Sequence, residues 1–323
     1  MTAGEKDEGV SAYIGNAVTV FSENTITIDM FGSAKYRNYK YGADDHIAIV
    51  HTEHLKKQAA IFITSAIHKS SYTGEFNYGR NFYAKDADAL TIQLPINSIG
   101  DVDYEFMENF IAELEADRIL ALEAYLAVTG LKDYTLTAEE QQALNNYEDL
   151  QFAKIKIIDL FNVKNTGNIL GREIKENSGS TPYLCASAEN NAVSSYISYE
   201  LNFLEKGECV FIGGKTFVVT YQEEDFYSND SHNLVLHHKD DSIRARLNQL
   251  YFVTCINKSM KHKYSWGDSI SSEKIKKDEV FLPVKNEKIY YESMKPLISA
   301  MQKIIIKDVV NYTNQKINLE INF

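Results

Sequence analysis

The chain has 323 residues, 44% hydrophobic and 24% charged, the balance of a folded protein with room for two ordinary domains. No apolar run approaches the ~20 residues of a membrane span, and the opening MTAGEKDEG lacks the apolar core of a secretory signal. A net charge of -12 argues against a broad electrostatic grip on nucleic acid, and three scattered cysteines without a CxxC argue for a reducing compartment and against a cysteine zinc site.

In chain order, NAVTVFSENTITIDMF (16–31) is rich in β-branched and aromatic residues and is expected to form strands. SAKYRNYKYG (33–42) interleaves Lys35, Arg37, Asn38 and Lys40 with Tyr36, Tyr39 and Tyr41. Beyond Pro95 a helix is expected, with Met107, Phe110, Ile111 and Leu114 on one face. Thr137 followed by Glu140 fits a capping box, so a short helix opens inside a connector spanning 127–150. ECVFIGGKTFVVTYQ (208–222) again reads as strands. Its GGKT (213–216) imitates a phosphate loop but has Cys209 where glycine is required, and it runs on into a strand-like segment instead of a helix. The last helix carries Met294, Leu297, Ile298, Met301, Ile304 and Ile305 at spacings of three and four, with Pro296 in its first turn or at a kink. Each apolar stripe either packs on the other helix or a partner's, or caps its own domain.

The chain repeats itself. Ala3, Val10, Ser11, Tyr13 and Ile14 match Ala186, Val193, Ser194, Tyr196 and Ile197. Asp44 and His46 match Asp230 and His232; Ile67, Lys69 and Ser70 match Ile256, Lys258 and Ser259. LPI (94–96) matches LPV (282–284), and YEFMENFIAEL (104–114) matches YESMKPLISAM (291–301). Five blocks recur in one order at an offset between 183 and 190, so a whole domain is duplicated. The second copy has an introduction, 152–184, without a counterpart before Thr2. The first copy is therefore expected to begin late, from an internal start or as a shortened relative of a longer protein.

No GxSxG, HExxH or GxGxxG occurs. His237-His238 lacks a third ligand and reads as a solvated strand end. His46 and His232, each near an aspartate, read as ligand-binding groups or as satisfied core polar groups.

FAKIKIIDLFNV (152–163), TPYLCASAENNAVSSYI (181–197), the GGKT strand region, the paired IHKS and INKS blocks, and a proline leading into a long helix, in this order and in two copies, resemble the specificity subunit of type I restriction–modification systems and related type IIB and IIG target-recognition subunits. The resemblance covers about 2–130 and 152–310. It implies an α+β protein: two pseudo-symmetric β-rich target recognition domains joined by two long antiparallel spacer helices. The implied boundaries are 1–100 for a shortened first domain, 101–150 for its helix and connector, 151–286 for the second domain, and 287–323 for the second helix and tail. It further implies double-stranded DNA as ligand, a methyltransferase subunit and in some complexes a restriction subunit as partners, a cytoplasmic location, and no cofactor or catalysis of its own. A helix of ~22 residues spans ~33 Å, close to one duplex turn.

Base readout and phosphate grip call for cationic and amide side chains near a groove, so the candidates come from the basic and aromatic stretches. These are Lys35, Tyr36, Arg37, Asn38, Tyr39, Lys40, Lys69 and Arg80 in the first copy. In the second they are Lys215, Thr216, Tyr221, Gln222, Lys258, Lys261, Lys263 and Trp266. Acidic residues concentrate in the helices and connector, which reconciles the net charge with basic loops. Two other readings stand beside this one: the separated specificity portion of a single-chain restriction–methyltransferase enzyme, and a duplicated protein- or glycan-binding module without a DNA role.

Overall fold

The computed structural model describes residues 1–321, with side chains described through residue 318. The chain divides into two compact units, one of residues 1–126 together with the stretch from Thr313 onward, the other of residues 127–312. Among the described residues, no helix is long and apolar enough to cross a membrane.

In the first unit, β1 (Thr25–Asp29), β2 (Ala34–Arg37) and β3 (Ile47–His51) form an antiparallel sheet in the order β2-β1-β3. The central strand TITID is buried along its whole length. α1 (Lys57–Ser71) lies against it through Ala59, Ile63 and Ile67, one per turn on a single face. α2 (Ala84–Ala89) follows, then α3 (Tyr104–Val128), whose Met107 is inserted into the same core as Ile26, Ile28 and Phe82. NAVTV (16–20), expected to be a strand, is irregular and exposed. Among the described residues no strand lies beside it to satisfy its backbone.

The second unit begins with the connector helix α4 (Ala138–Asn145), capped as expected: Thr137 Oγ1 accepts from Glu140 N at 3.2 Å and Glu140 Oε2 from Thr137 N at 2.7 Å. Then come β4 (Gln151–Lys156), α5 (Ile157–Leu160), β5 (Phe161–Asn165), β6 (Thr181–Leu184) and β7 (Val193–Ile197). β8 (Cys209–Ile212), β9 (Val219–Gln222), β10 (Tyr227–Ser228) and β11 (Leu234–His238) precede α6 (Arg246–Met260) and α7 (Ser272–Ile275). β12 (Glu279–Lys285), β13 (Lys288–Ile289) and α8 (Met294–Ile321) as far as Tyr312 complete it. The main sheet runs β5-β11-β8-β9, and smaller sheets run β10-β6-β7 and β13-β12-β4. Val210, Ile212, Leu236, Phe252, Ile256 and Met294 meet in its largest core. Pro296 falls in the first turn of α8, where its missing N–H costs no helix hydrogen bond.

The duplication is visible in the backbone. β9-β8-β11 repeats β2-β1-β3, α6 repeats α1, and Met294 repeats Met107, both fully buried. Asp7, Glu8 and Gly9 have φ of 48°, 53° and 77°; Asn190, Asn191 and Ala192 have 47°, 52° and 69°. Three successive left-handed residues are rare in L-amino-acid chains. Finding them at the same place in both copies explains why the opening words recur: both segments make one tight turn, closed by Thr2 N to Gly9 O and by Cys185 N to Ala192 O, each 2.9 Å.

Two expectations need correction. His238 is not at a solvated strand end: it is buried between Phe161 and Phe252, since alternation along β11 turns it inward. Its Nδ1 accepts from Asp240 N at 3.1 Å, and burial holds its pKa below the usual imidazole value. The apolar helix stripes are also only partly covered. Met107, Ile111, Met294 and Leu297 are buried, whereas Phe110, Leu114, Met301, Ile304 and Ile305 are exposed. Farther along, Ile119 and Leu126 of α3 and Ala300, Val310 and Thr313 of α8 are buried as well.

Candidate nucleic-acid interface

In each unit the central hairpin turns beside the C-terminal end of the packed helix. In the first unit, Asp29 Oδ1 accepts from Phe31 N and Ser33 N, both at 3.0 Å, closing the turn between β1 and β2. Ser71 Oγ, at the end of α1, donates to Gly32 O at 2.6 Å, and Ala34 N donates to His68 Nδ1 at 3.2 Å. Gly32 has φ +86°, and a Cβ there would lie 2.3 Å from Ser71 O, so only glycine fits this contact. Lys69 is exposed beside it.

In the second unit the GGKT turn joins two strands, as its sequence indicated. Gly214 N donates to Asn233 Oδ1 at 3.0 Å, and Phe217, left-handed at φ 51°, stacks on Tyr264. Lys215 Nζ lies 2.8 Å from Asp230 Oδ2, and Thr216 Oγ1 donates to Ala186 O at 2.8 Å. Burial opposes the charge of Asp230, but bonds from Lys215 and from the backbone and ring of His232 outweigh it and hold its pKa at about 2. Lys215 is thus matched to an internal carboxylate. Lys258, Lys261 and His262 are exposed at the end of α6; Lys263 is exposed too, but its Nζ is 2.9 Å from Asp278 Oδ1.

A second turn stands next to the first in both units. Asn77 and Arg80 exchange two backbone hydrogen bonds of 3.0 Å; Ser265 and Asp268 exchange bonds of 3.2 and 3.0 Å. Tyr78 and Trp266 occupy the tips, and Tyr78 meets Phe31 edge-on at 5.3 Å. Phe82 N bonds Met30 O at 2.9 Å and Ile270 N bonds Gly214 O at 3.1 Å, tying each tip to its hairpin. Arg80 lies in the first tip, its guanidinium 5.1 Å from the Phe76 ring centre.

The basic-aromatic stretch 33–42 behaves differently from expectation, because residues 34–37 are strand and not loop. Arg37 is buried: Nε donates to Thr27 Oγ1 at 2.9 Å, Nη2 to Glu8 O at 2.8 Å, and Nη1 to Tyr39 Oη at 3.3 Å. Lys35 Nζ bonds Glu5 at 3.1 Å and Ser33 Oγ at 2.8 Å, and Tyr36 Oη donates to Asn24 Oδ1 at 2.9 Å. Gln222 holds the place of Arg37 in the second unit. It is buried, and its Nε2 donates to Asn191 O and Thr220 Oγ1, both at 2.9 Å. Glu8 and Asn191 are the middle residues of the two left-handed turns, so Arg37 and Gln222 clamp the same backbone feature. Tyr221 is buried as well, its phenol pushed up to about 12 by burial. Arg37, Tyr221 and Gln222 are therefore removed from the exposed candidates.

Asn38, Tyr39 and Lys40 are exposed, but at the other end of the hairpin, about 14 Å along the strands from the turn. Their counterparts after β9 are Glu223, Glu224 and Asp225, so that end is acidic in the second unit. The residues brought together are Lys69, Tyr78 and Arg80 in the first unit, and Lys258, Lys261, Lys263 and Trp266, with Lys215 and Thr216 in the adjoining turn, in the second. Sequence reading missed Tyr78. The signal was present, since NYGR (77–80) and SWGD (265–268) share offset and glycine. The two faces differ in charge: residues 258–278 hold six lysines against three carboxylates, whereas 69–89 hold three cations against three.

The matched Asp and His pairs are surface turns and not core groups. Asp44 Oδ1 accepts from His46 N at 3.0 Å and Asp230 Oδ1 from His232 N at 2.9 Å, an Asx turn in each copy. Asp44, Asp45 and His46 bring potential ligand atoms close together, but on an exposed loop, and the second unit has Ser231 where the first has Asp45.

One strand-and-turn frame used twice, each time leading into a long helix, defines a duplicated α+β protein whose shared surface feature is a pair of adjoining turns beside a helix end. Residues 6–124 and 149–322 match the family of the type I restriction modification DNA specificity domain, and the chain belongs to that family. It is 26% identical over 152 residues to the specificity subunit S.BcgI of the type II restriction enzyme BgcI from Heyndrickxia coagulans. That match spans 46% of this chain and 43% of the relative. The fold is similar to that of the type I restriction–modification S subunit from M. genitalium, with a TM-score of 0.54 and 12% identity over 98% of this chain and 88% of the other.

Proposed function

We propose that this chain is a cytoplasmic, non-catalytic specificity subunit that reads a bipartite site on double-stranded DNA. Each unit contacts one half-site, and the whole positions a modification methyltransferase and, in a cleaving complex, a restriction subunit. The observation that carries this reading is the repeated pairing of two braced turns with the end of a helix. The second unit's copy carries a local excess of lysine although the chain is acidic. Local basic surface is what phosphate contact requires, whatever the net charge. The recognition portions are taken as 1–100 and 151–286, with 101–150 and 287–323 as helices and connector. α3 has 25 residues and α8 has 28, or about 37 and 42 Å, enough to separate two readers by a duplex turn. The test is co-expression with a methyltransferase subunit encoded beside this chain, followed by mapping of methylated sites. A split motif with a fixed gap is expected; a continuous motif, or methylation that does not depend on this chain, refutes the reading.

A further inference from the structure

Tyr78 is 86% exposed and Trp266 75% exposed, more than any aromatic residue described other than Tyr13. These are not arbitrary surface positions. Each is the second residue of a four-residue turn with reciprocal backbone bonds, each is followed by glycine, and the two lie 188 residues apart. In both, the residue two beyond the turn, Phe82 or Ile270, is buried and bonded to the neighbouring hairpin turn. The ring is therefore held out on a braced support. Keeping a large apolar face in water is unfavourable, and any polar residue would serve the turn as well. The side-chain chemistry differs, phenol against indole, while the flat face is common to both. Arg80 flanks the first ring; Lys261 and His262, both exposed, lie on the loop that leads to the second.

Cations alone suffice to grip phosphate. A flat aromatic face on a turn with cationic residues nearby in sequence suits a nucleobase or a deoxyribose, because every base offers a π-face. We infer that Tyr78 and Trp266 are equivalent aromatic probes, one per unit, that leave water to stack on bases or sugars within the half-site each unit reads. This rests on the DNA-reading role proposed above and adds to it the residues, the mode of contact and the equivalence of the two tips.

Trp266 is the only tryptophan in the chain, so it reports on itself. The full chain is titrated with sheared duplex DNA at low salt, with binding followed by gel shift and Trp266 by its emission and its accessibility to acrylamide. Quenching and protection that track the binding curve are expected. In a Trp266→Phe background, Tyr78→Trp reports on the first unit in the same way. Trp266→Ala should weaken binding about tenfold, roughly 1.4 kcal/mol, without changing its dependence on salt. Lys261→Ala should instead lower the slope of log affinity against log salt by about one. Trp266→Phe should retain most of the affinity. Binding by gel shift with an unaltered, fully accessible Trp266 overturns the inference and leaves the DNA-reading role standing. So does an alanine variant that keeps DNA affinity but no longer co-purifies with the methyltransferase, since the ring then docks on protein. Absence of any gel shift overturns the DNA-reading role, and the inference with it.

Discussion

Replacing Glu140 with glutamine probes how the connector is joined to the second unit. Its carboxylate is buried, yet it accepts from Thr137 N at 2.7 Å, Lys303 Nζ at 2.9 Å and Ser299 Oγ at 2.5 Å, which ties α4 to α8. Burial alone would raise its pKa; the bonds from Ser299, Lys303 and Thr137 outweigh this and bring it down to about 2. Glutamine preserves the volume but removes the charge and turns one acceptor into a donor facing Lys303 or the Thr137 N–H. Bonds to a charged group contribute about 1.5–3 kcal/mol each, and the cost of burying the charge offsets part of their sum. The expected loss is about 2–4 kcal/mol at neutral pH, measured by urea denaturation of the full chain followed by far-UV circular dichroism. The pH dependence has a definite sign. The folded pKa lies below the unfolded value of 4.5, so the stabilisation is complete above that value and declines as pH falls toward about 2. The gap between wild type and variant must therefore narrow in acid. A gap below about 0.5 kcal/mol at neutral pH, or one unchanged on acidification, would show that the three donors do not hold a carboxylate.

Arg37→Met and Gln222→Leu should each cost about 1–3 kcal/mol of stability while leaving the methylated sequence unchanged; a changed motif at unchanged stability would return these residues to the reading surface. Gly32→Ala forces a side chain into left-handed backbone and into Ser71 O, so a loss of at least about 2 kcal/mol is expected, and an unaltered Tm would contradict the contact. His238 has a pKa held below 6.5 by burial, so its neutral form supports the fold above that pH, and this support is lost as pH falls through the folded value. His238→Phe should flatten that loss in stability measured against pH, and an unchanged acid limb would argue that the ring is already charged in the fold.

Much of the frame was legible because duplication supplies its own alignment. The paired Met107 and Met294 and the recurring Asp–His positions could be read from two stretches of one chain, and the capping box and the strand-like GGKT turn from local motif. Arg37 could not. In a list of residue types it belongs with DNA-binding cations, and its counterpart is a glutamine, so no shared chemistry marked the pair. Both are donors aimed at a carbonyl in a left-handed turn, and that turn carries no local signal beyond Gly9 in one copy and two asparagines in the other. The inward turn of His238 was hidden for a related reason. A histidine in an alternating strand reads as polar until the ring packed against it is known.

These cases yield a rule for separating frame from reading surface within this molecule. Buried positions that recur with chemistry kept, such as Met107 and Met294, build the fold, whereas exposed ones, such as Lys69 and Lys258, lie on the face that both units present. Positions that recur in place while changing chemistry divide by exposure. When buried, like Arg37 and Gln222, they do one structural task with different atoms. When exposed, like Tyr78 and Trp266, they answer to something outside the unit. By this rule Asn38, Tyr39 and Lys40 pose the sharpest contrast, since their exposed counterparts include Glu223 and Glu224. A polyanion held at that end by the first unit would be repelled by the same end of the second. Under the proposed DNA-reading role, the face each unit offers is therefore its turn end, where the second unit gathers its lysines and each unit presents an aromatic ring.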